Sequence, residues 1–245
     1  MCTLVLLRRP DHHWPLLVAA NRDELRTRPA KPPERHWPDR PEVVAGLDVE
    51  AGGTWLGLND DGLMAAILNR KGSLGPAPGK RSRGELVLEV LDHAEAPEAA
   101  AALADIDPAA YRPFNLVVAD PQDAFLVAHR GDGSVTMTRI EPGLHMIEAS
   151  ELDDPRSARI RSFRQRFADS PPDPDKGDWA DWQGILADRT TSTGDPRDAM
   201  CIITDGAYGT VSSSLIALPR YATERPIWLF ADGRPGEAPF AEVEA

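Results

Sequence analysis

Cysteine stands second in the chain, directly after Met1. Methionine aminopeptidases remove an initiator methionine when the next residue is small, so Cys2 is expected to carry both a thiol and a free α-amine. The amine titrates near ~8 and the thiol near ~8.5, so the amine can act as base for its own side chain near neutral pH. The competing reading is a small apolar residue opening a buried strand. Asn21-Arg22-Asp23-Glu24 follows an apolar run. An arginine beside Cys2 would lower the thiol pKa, and a carboxylate would orient an N-terminal ammonium. The alternative is a charged loop opening, with Asp23 and Arg26 paired in solvent. Asn69, followed by Arg70, can donate its amide to an oxyanion or cap a turn. Tyr208, Thr210 and Ser212-Ser213-Ser214 are clustered hydroxyls that line a pocket or satisfy a sheet edge.

Two hairpins are needed to bring these residues together. Cys2 to Arg8 and Pro15 to Ala20 read as strands around a turn at residues 10–13, with the Asn21–Glu24 group just past the second. A long Pro- and Arg-rich loop covers residues 26–41. The stretch 52–59, the turn Asp60-Asp61-Gly62 and the stretch 63–68 form the strongest hairpin signal, because Asp-Gly supplies the positive φ a tight turn requires. Ser82 and Glu85 have capping-box spacing ahead of a helix through Leu86, Val87, Val90 and Leu91. A second helix follows at 97–103, then strands at 114–119, 124–129 and 135–140. Asp154-Pro155 starts a helix with Ile160, Phe163 and Phe167 on one face. A Pro- and Asp-rich linker (170–177) and a short helix with Trp179, Trp182 and Leu186 precede strands at 199–204, 210–218 and 227–231. This order predicts an α+β layered fold with mostly antiparallel sheets, as one domain over residues 1–245. Cys2, Arg22, Asp23 and Asn69 are expected at strand ends around one cleft, with Arg22 and Asp23 buried and bonded to each other.

A formal net charge of -12 excludes nucleic acid and anionic membrane as main partners. No apolar run reaches the ~18 residues of a membrane span, and the run from Cys2 to Leu7 is too short for a signal peptide. Cys2 and Cys201 make neither a disulfide framework nor a zinc pattern, so the expected location is the reducing cytoplasm. Arginine outnumbers lysine 23 to 4, which points to the codon bias of a GC-rich bacterial genome. The histidines at 12, 13, 36, 93, 129 and 145 lack ligand spacing, and no metal is expected. Trp14, Trp37 and Trp55 either line a cleft for a flat apolar ligand or pack in the core, the latter favoured for Trp55.

Taken in order, these motifs resemble the NRDE family, also called the transport and Golgi organisation protein 2 family. The resemblance rests on Met1-Cys2, Asn21–Glu24 with Arg28-Pro29, Gly52-Gly53-Thr54-Trp55-Leu56-Gly57, Asn69-Arg70, Ser82-Arg83-Gly84, Phe114-Asn115-Leu116 and Tyr208-Gly209-Thr210. It implies a four-layer αββα sandwich of the N-terminal-nucleophile hydrolase type. It also implies Cys2, Arg22, Asp23 and Asn69 as catalytic residues, with Asn21, Glu24, Arg70, Tyr208 and Thr210 contacting a ligand. Two positions depart from the family pattern. Val211 stands where an arginine is usual, and Ala149 follows Ile147-Glu148 where the pattern has an asparagine. Losing a cation and an amide removes groups that stabilise developing negative charge. The resemblance implies intracellular handling of haem, or of a similar hydrophobic ligand bearing carboxylates, with no cofactor required, and the two departures favour this over hydrolysis. The alternatives are a cysteine amidohydrolase acting on a small amide and a non-catalytic scaffold. No oligomeric state is implied.

Overall fold

Short apolar runs broken by Asp-Gly and Asp-Pro turns favour antiparallel strands. The computed structural model, which describes residues 2–221 and 223–244, has thirteen strands and four α-helices among them. In chain order the first are β1 (Thr3–Arg8), β2 (Leu16–Leu25), β3 (Ala30–Glu34), β4 (Val43–Asp48), β5 (Leu56–Asn59) and β6 (Met64–Asn69). There follow α1 (Gly84–Leu91), α2 (Ala96–Ala104), β7 (Phe114–Ala119), β8 (Ala124–His129), β9 (Val135–Arg139) and β10 (Gly143–Ile147). The last are α3 (Ala158–Asp169), α4 (Ala180–Leu186), β11 (Tyr208–Leu218), β12 (Ile227–Ala231) and β13 (Ala241–Glu242). Met1, whose removal the expected free amine on Cys2 requires, lies outside the described residues.

The chain divides into two compact units. The first takes the chain through Thr27, then Pro142–Arg220 and Pro226–Glu244. Its sheet has the order β10-β1-β2-β11-β12-β13, antiparallel throughout. One face of that sheet packs on α3 and α4 through Val5, Leu17, Ala19, Ile160, Phe163 and Trp182. Helix α3 begins at Ser157, whose hydroxyl accepts from the Ile160 amide, three residues beyond the expected Asp154 start. Trp14 is buried in this core.

The second unit is chiefly Arg28–Glu141. Its sheet, β3-β4-β5-β6-β7-β8-β9, is a meander in which every strand pairs with its neighbours in sequence. Helices α1 and α2 cover one face through Leu86, Val90, Leu91, Ala99 and Leu103. Two glycine contacts shape this unit. A Cβ on Gly53 would lie 2.5 Å from the Gly84 carbonyl carbon, so the two main chains touch, and Thr54 N donates to Gly84 O at 3.1 Å. A Cβ on Gly46 would lie 2.5 Å from the Trp55 ring, which fixes Trp55 as a packing residue.

Several expectations are corrected. Strand β2 runs on through Leu25, so Asn21–Glu24 lie inside it because β11 pairs with that stretch. Residues 199–204 form no ladder. Their backbone meets that of β11 at the isolated bridge of Ile203 with Gly209 and through the bond from Thr210 N to Ile202 O, and is otherwise tied to side chains and loops, Cys201 N to Asp188 O and Ile202 N to Thr210 Oγ1. Ser82 does not close a capping box: its hydroxyl accepts from Gly84 N, while Glu85 accepts from Tyr111. Strands β3, β4, β10 and β13 were not anticipated.

Candidate functional site

The site is built on the pairing of β2 with β1 on one side and β11 on the other. Alternate residues of a strand point to opposite faces, so Asn21 and Asp23 share the helix-covered face and Arg22 takes the other. Across from them stand Thr210 opposite Asp23, Ser212 opposite Arg22 and Ser213 opposite Asn21. The register shifts between Thr210 and Ser212, which leaves Val211 as the extra residue of a bulge. On the β1 side Thr3 pairs with Asn21. Continuing that register by one residue sets Cys2 across from Arg22.

Four polar residues inside a strand are tolerable only if their buried groups are satisfied. Asn21 is held at both ends of its amide. Its Nδ2 donates to Leu186 O at 3.0 Å and Met200 O at 2.9 Å, and its Oδ1 accepts from Ser213 Oγ at 2.6 Å. Asp23, buried to 1% exposure, accepts at Oδ1 from Thr210 Oγ1 at 2.6 Å and at Oδ2 from Arg159 Nη1 at 3.4 Å. Arg159 comes from α3 and is fully buried. It also donates to Thr3 Oγ1 and to the Arg197 carbonyl, and it lies 3.8 Å from Glu148 Oε2. Half-buried Glu24 accepts from the Leu25 amide at 2.8 Å.

The Asp23 backbone connects this network to the thiol. Its carbonyl accepts from Tyr208 OH at 3.1 Å, and the Cys2 Sγ approaches the same oxygen at 3.8 Å. Cys2 thus rests on a main-chain atom whose side chain is fixed by two buried partners. Burial pushes the Cys2 thiol above its ordinary range, and the Asp23 charge adds to it. The N-terminal charge pulls most strongly the other way, followed by the hydrogen bond to Asp23 and the charge of Arg22. Arg22 therefore acts with the expected sign, but burial outweighs it and the thiol is held in its neutral form at pH 7.

Cys2, Asn21, Arg22, Asp23, Glu24, Tyr208 and Thr210 thus share the first unit. Asn69 and Arg70 belong to the second: Asn69 ends β6 opposite Phe114, and Arg70 Nη1 donates to Asn115 Oδ1 at 2.6 Å. Both Arg22 and Asp23 are buried, as expected. The sequence offered Arg22, or in solvent Arg26, as Asp23's partner and did not point to Arg159. The available signal was helical spacing, since Arg159 precedes Phe163 by four residues and so falls on the apolar face of α3. Among the described residues no helix is long and apolar enough to cross a membrane.

A family model described as "Transport and Golgi organisation 2" matches residues 1–226. A Mus musculus "Transport and Golgi organization 2 homolog" is 44% identical over 81 residues, 31% of this chain and 28% of that protein. A Homo sapiens "Transport and Golgi organization protein 2 homolog" is 32% identical over 148 residues, 57% of this chain and 52% of that protein. The matches thus span about half or less of these relatives' lengths. Among solved structures, a Caenorhabditis elegans "N-acylethanolamine-hydrolyzing acid amidase (NAAA) ortholog" aligns with a TM-score of 0.57 at 13% identity, covering 90% of this chain and 94% of that one. The C2A mutant of a conjugated bile acid hydrolase from Clostridium perfringens aligns at 0.52 with 12% identity, covering 100% and 97%. At such identities the likeness shows the fold alone, which is α+β of the N-terminal-nucleophile hydrolase type with antiparallel sheets.

Proposed function

We propose, since this chain belongs to the Transport and Golgi organisation 2 family, that it handles a hydrophobic ligand bearing carboxylates, of which haem is the model, at Cys2 and Arg22. The carrying observation is the state of the thiol. Cys2 is placed by the Asp23 carbonyl, kept neutral by burial and set beside an arginine. A neutral thiol is a poor nucleophile, because the thiolate is the reactive form. It is a serviceable soft ligand, which gives up its proton only when a metal ion takes the sulfur. A guanidinium meets a carboxylate with two parallel charge-assisted hydrogen bonds. The Asp23–Arg159–Thr210 network supplies the rigidity that holds the thiol. With two free thiols, the protein is read as residing in a reducing compartment, the cytoplasm.

Absorbance titration with haem tests this. Binding should weaken in Cys2→Ala, with a changed Soret position, and weaken further in Arg22→Met. Wild-type protein that leaves the haem spectrum untouched overturns the reading.

A second reading, a cysteine amidohydrolase, is favoured by the placement of Cys2 Sγ on Asp23 O at the head of β1. If Met1 is removed, the α-amine on Cys2 takes the thiol proton and the sulfur adds to an amide carbonyl; the C–N bond then breaks as the amine leaves with that proton, and water hydrolyses the resulting thioester to release the acid and the thiol. Against it stands Val211, an aliphatic residue in the bulge where the family pattern has a cation. Intact mass with an amide-hydrolysis screen separates the two. Loss of Met1 with turnover that vanishes in Cys2→Ala, and no haem binding, reverses the order. Neither activity leaves the scaffold.

A further inference from the structure

The protein carries a formal charge of -12, yet Leu63 to Gly84 holds five Lys or Arg residues and no Asp or Glu. Within this stretch the loop from Lys71 to Lys80 is folded around Arg112 of the same unit. Arg112 Nη1 donates to Leu74 O at 2.8 Å, Gly75 O at 3.1 Å and Pro76 O at 3.2 Å, and Nη2 donates to Gly72 O at 2.8 Å. These acceptors are carbonyls, so the guanidinium charge is not neutralised by them.

The gathered carbonyls determine where the amides point. In a planar trans peptide the N–H lies opposite the preceding C=O. With Leu74 O and Pro76 O turned in on Arg112, the amides of Gly75 and Ala77 are turned out. Among the described residues no protein acceptor meets either amide. Gly75 adopts a left-handed φ of 78°, and a Cβ there would meet nothing within 4 Å, so the loop surface is open at that point. Lys71 and Lys80 are exposed at the two ends of the loop, and Lys80 Nζ reaches back to Ala109 O at 2.5 Å. Outward amides between two exposed lysines are the ingredients of an anion-binding nest.

We propose that the 71–80 loop is a binding site for the phosphate or diphosphate group of a small molecule, received by the Gly75 and Ala77 amides with Lys71 and Lys80 at the rim. Phosphate fits better than carboxylate because it offers more acceptor oxygens and carries close to two charges. Size matters as well. A long polyanion would meet the net negative charge of the rest of the protein, whereas a small anion stays within the loop's own field, which is screened over about 8–10 Å.

The experiment is an amide NMR titration of the full chain with inorganic pyrophosphate. The Gly75 and Ala77 resonances should move together and saturate. Lys71→Ala with Lys80→Ala should weaken the saturable phase about 2- to 30-fold. Arg112→Met keeps both lysines but frees the carbonyls, and should lose the saturable phase altogether; Lys176→Ala serves as the charge control and should do nothing. No saturable shift in the wild type overturns the site. Equal losses in Arg112→Met and Lys176→Ala reduce it to diffuse charge, and overturn it too. Displacement of pyrophosphate by RNA or by phosphatidylserine vesicles at lower concentration would replace it with a macromolecular surface. If Arg112→Met unfolds, the lysine pair decides alone, and unchanged affinity there refutes the proposal.

Discussion

Replacing Asp23 with alanine tests whether the strand-borne network is structural support or a solvated cluster. Both side chains of the Asp23–Arg159 pair have 0% exposure. Removing one partner of a buried pair costs about 3–5 kcal/mol, because the remaining charge is left uncompensated. Arg159 keeps Thr3 Oγ1 and the Arg197 carbonyl in the variant, with Glu148 Oε2 at 3.8 Å, which favours the lower end of that range. The Thr210 hydroxyl loses its acceptor at the same time, adding about 1 kcal/mol. For a chain of this length each kcal/mol moves Tm by roughly 2–4 °C, so the midpoint should fall about 8–16 °C. Asp23→Asn keeps an acceptor for Thr210 and should fall between. Arg159→Met should also destabilise strongly, while the double variant should lose less than the sum, as coupled neighbours do. Scanning calorimetry on the four proteins measures this. An unchanged midpoint in Asp23→Ala, or strict additivity in the double variant, would falsify the network.

Three further outcomes follow from the same geometry. Because burial raises the Cys2 thiol, its alkylation by iodoacetamide should rise with a midpoint above the ordinary cysteine range, and Arg22→Met should move it higher still; a midpoint at or below that range contradicts the burial argument. Asp153 is pushed up by burial, yet it is held net below the usual carboxylate range by His145, the Met146 amide and Arg164. The stability it adds is full above the unfolded value of ~3.9 and is lost as pH falls through the folded one, so Asp153→Asn should flatten the acid limb of a denaturation profile below about pH 4 and an unchanged limb refutes it. Asn21→Ala strands two buried carbonyls and the Ser213 hydroxyl, and urea denaturation should show a loss of at least about 1–3 kcal/mol; a variant as stable as the wild type would mean that water replaces the amide.

What the sequence revealed depended on how local the cause was. Strands β7, β8 and β12 were legible with their boundaries, because turn residues and apolar runs mark both ends within a few positions. The hairpin at Asp60-Asp61-Gly62 was visible for the same reason. Asn21–Glu24 reads locally as a loop, and it becomes strand because residues 209–213 supply the other half of the ladder. Residues 199–204 read as a strand from their apolar content, but the neighbouring polar side chains of Asn21 and Thr210 claim the backbone groups a ladder would need. Strand β3 was hidden by Pro32 and Pro33, which suit an edge strand with no ladder donor to lose. Arg159 escaped notice because a charged residue on an apolar helix face is ordinarily an interruption. Here it is the buried partner of a carboxylate on another element.

The first unit's sheet has a consequence for synthesis on the ribosome. Its central pairing joins β2 to β11, and the Asn21–Ser213 bond spans 192 residues. At about 5–20 residues per second, β1 and β2 wait roughly 10–40 s before β11 can be made. During that time an apolar hairpin with an unpaired edge is exposed, while the intervening meander, whose strands pair only with their neighbours in chain order, has all its partners before β11 is made. The segment that carries Cys2 and Asn21–Glu24 is therefore made long before the strand that completes it, and a nascent chain stalled before Tyr208 holds every one of these residues without the strand that turns them into a site.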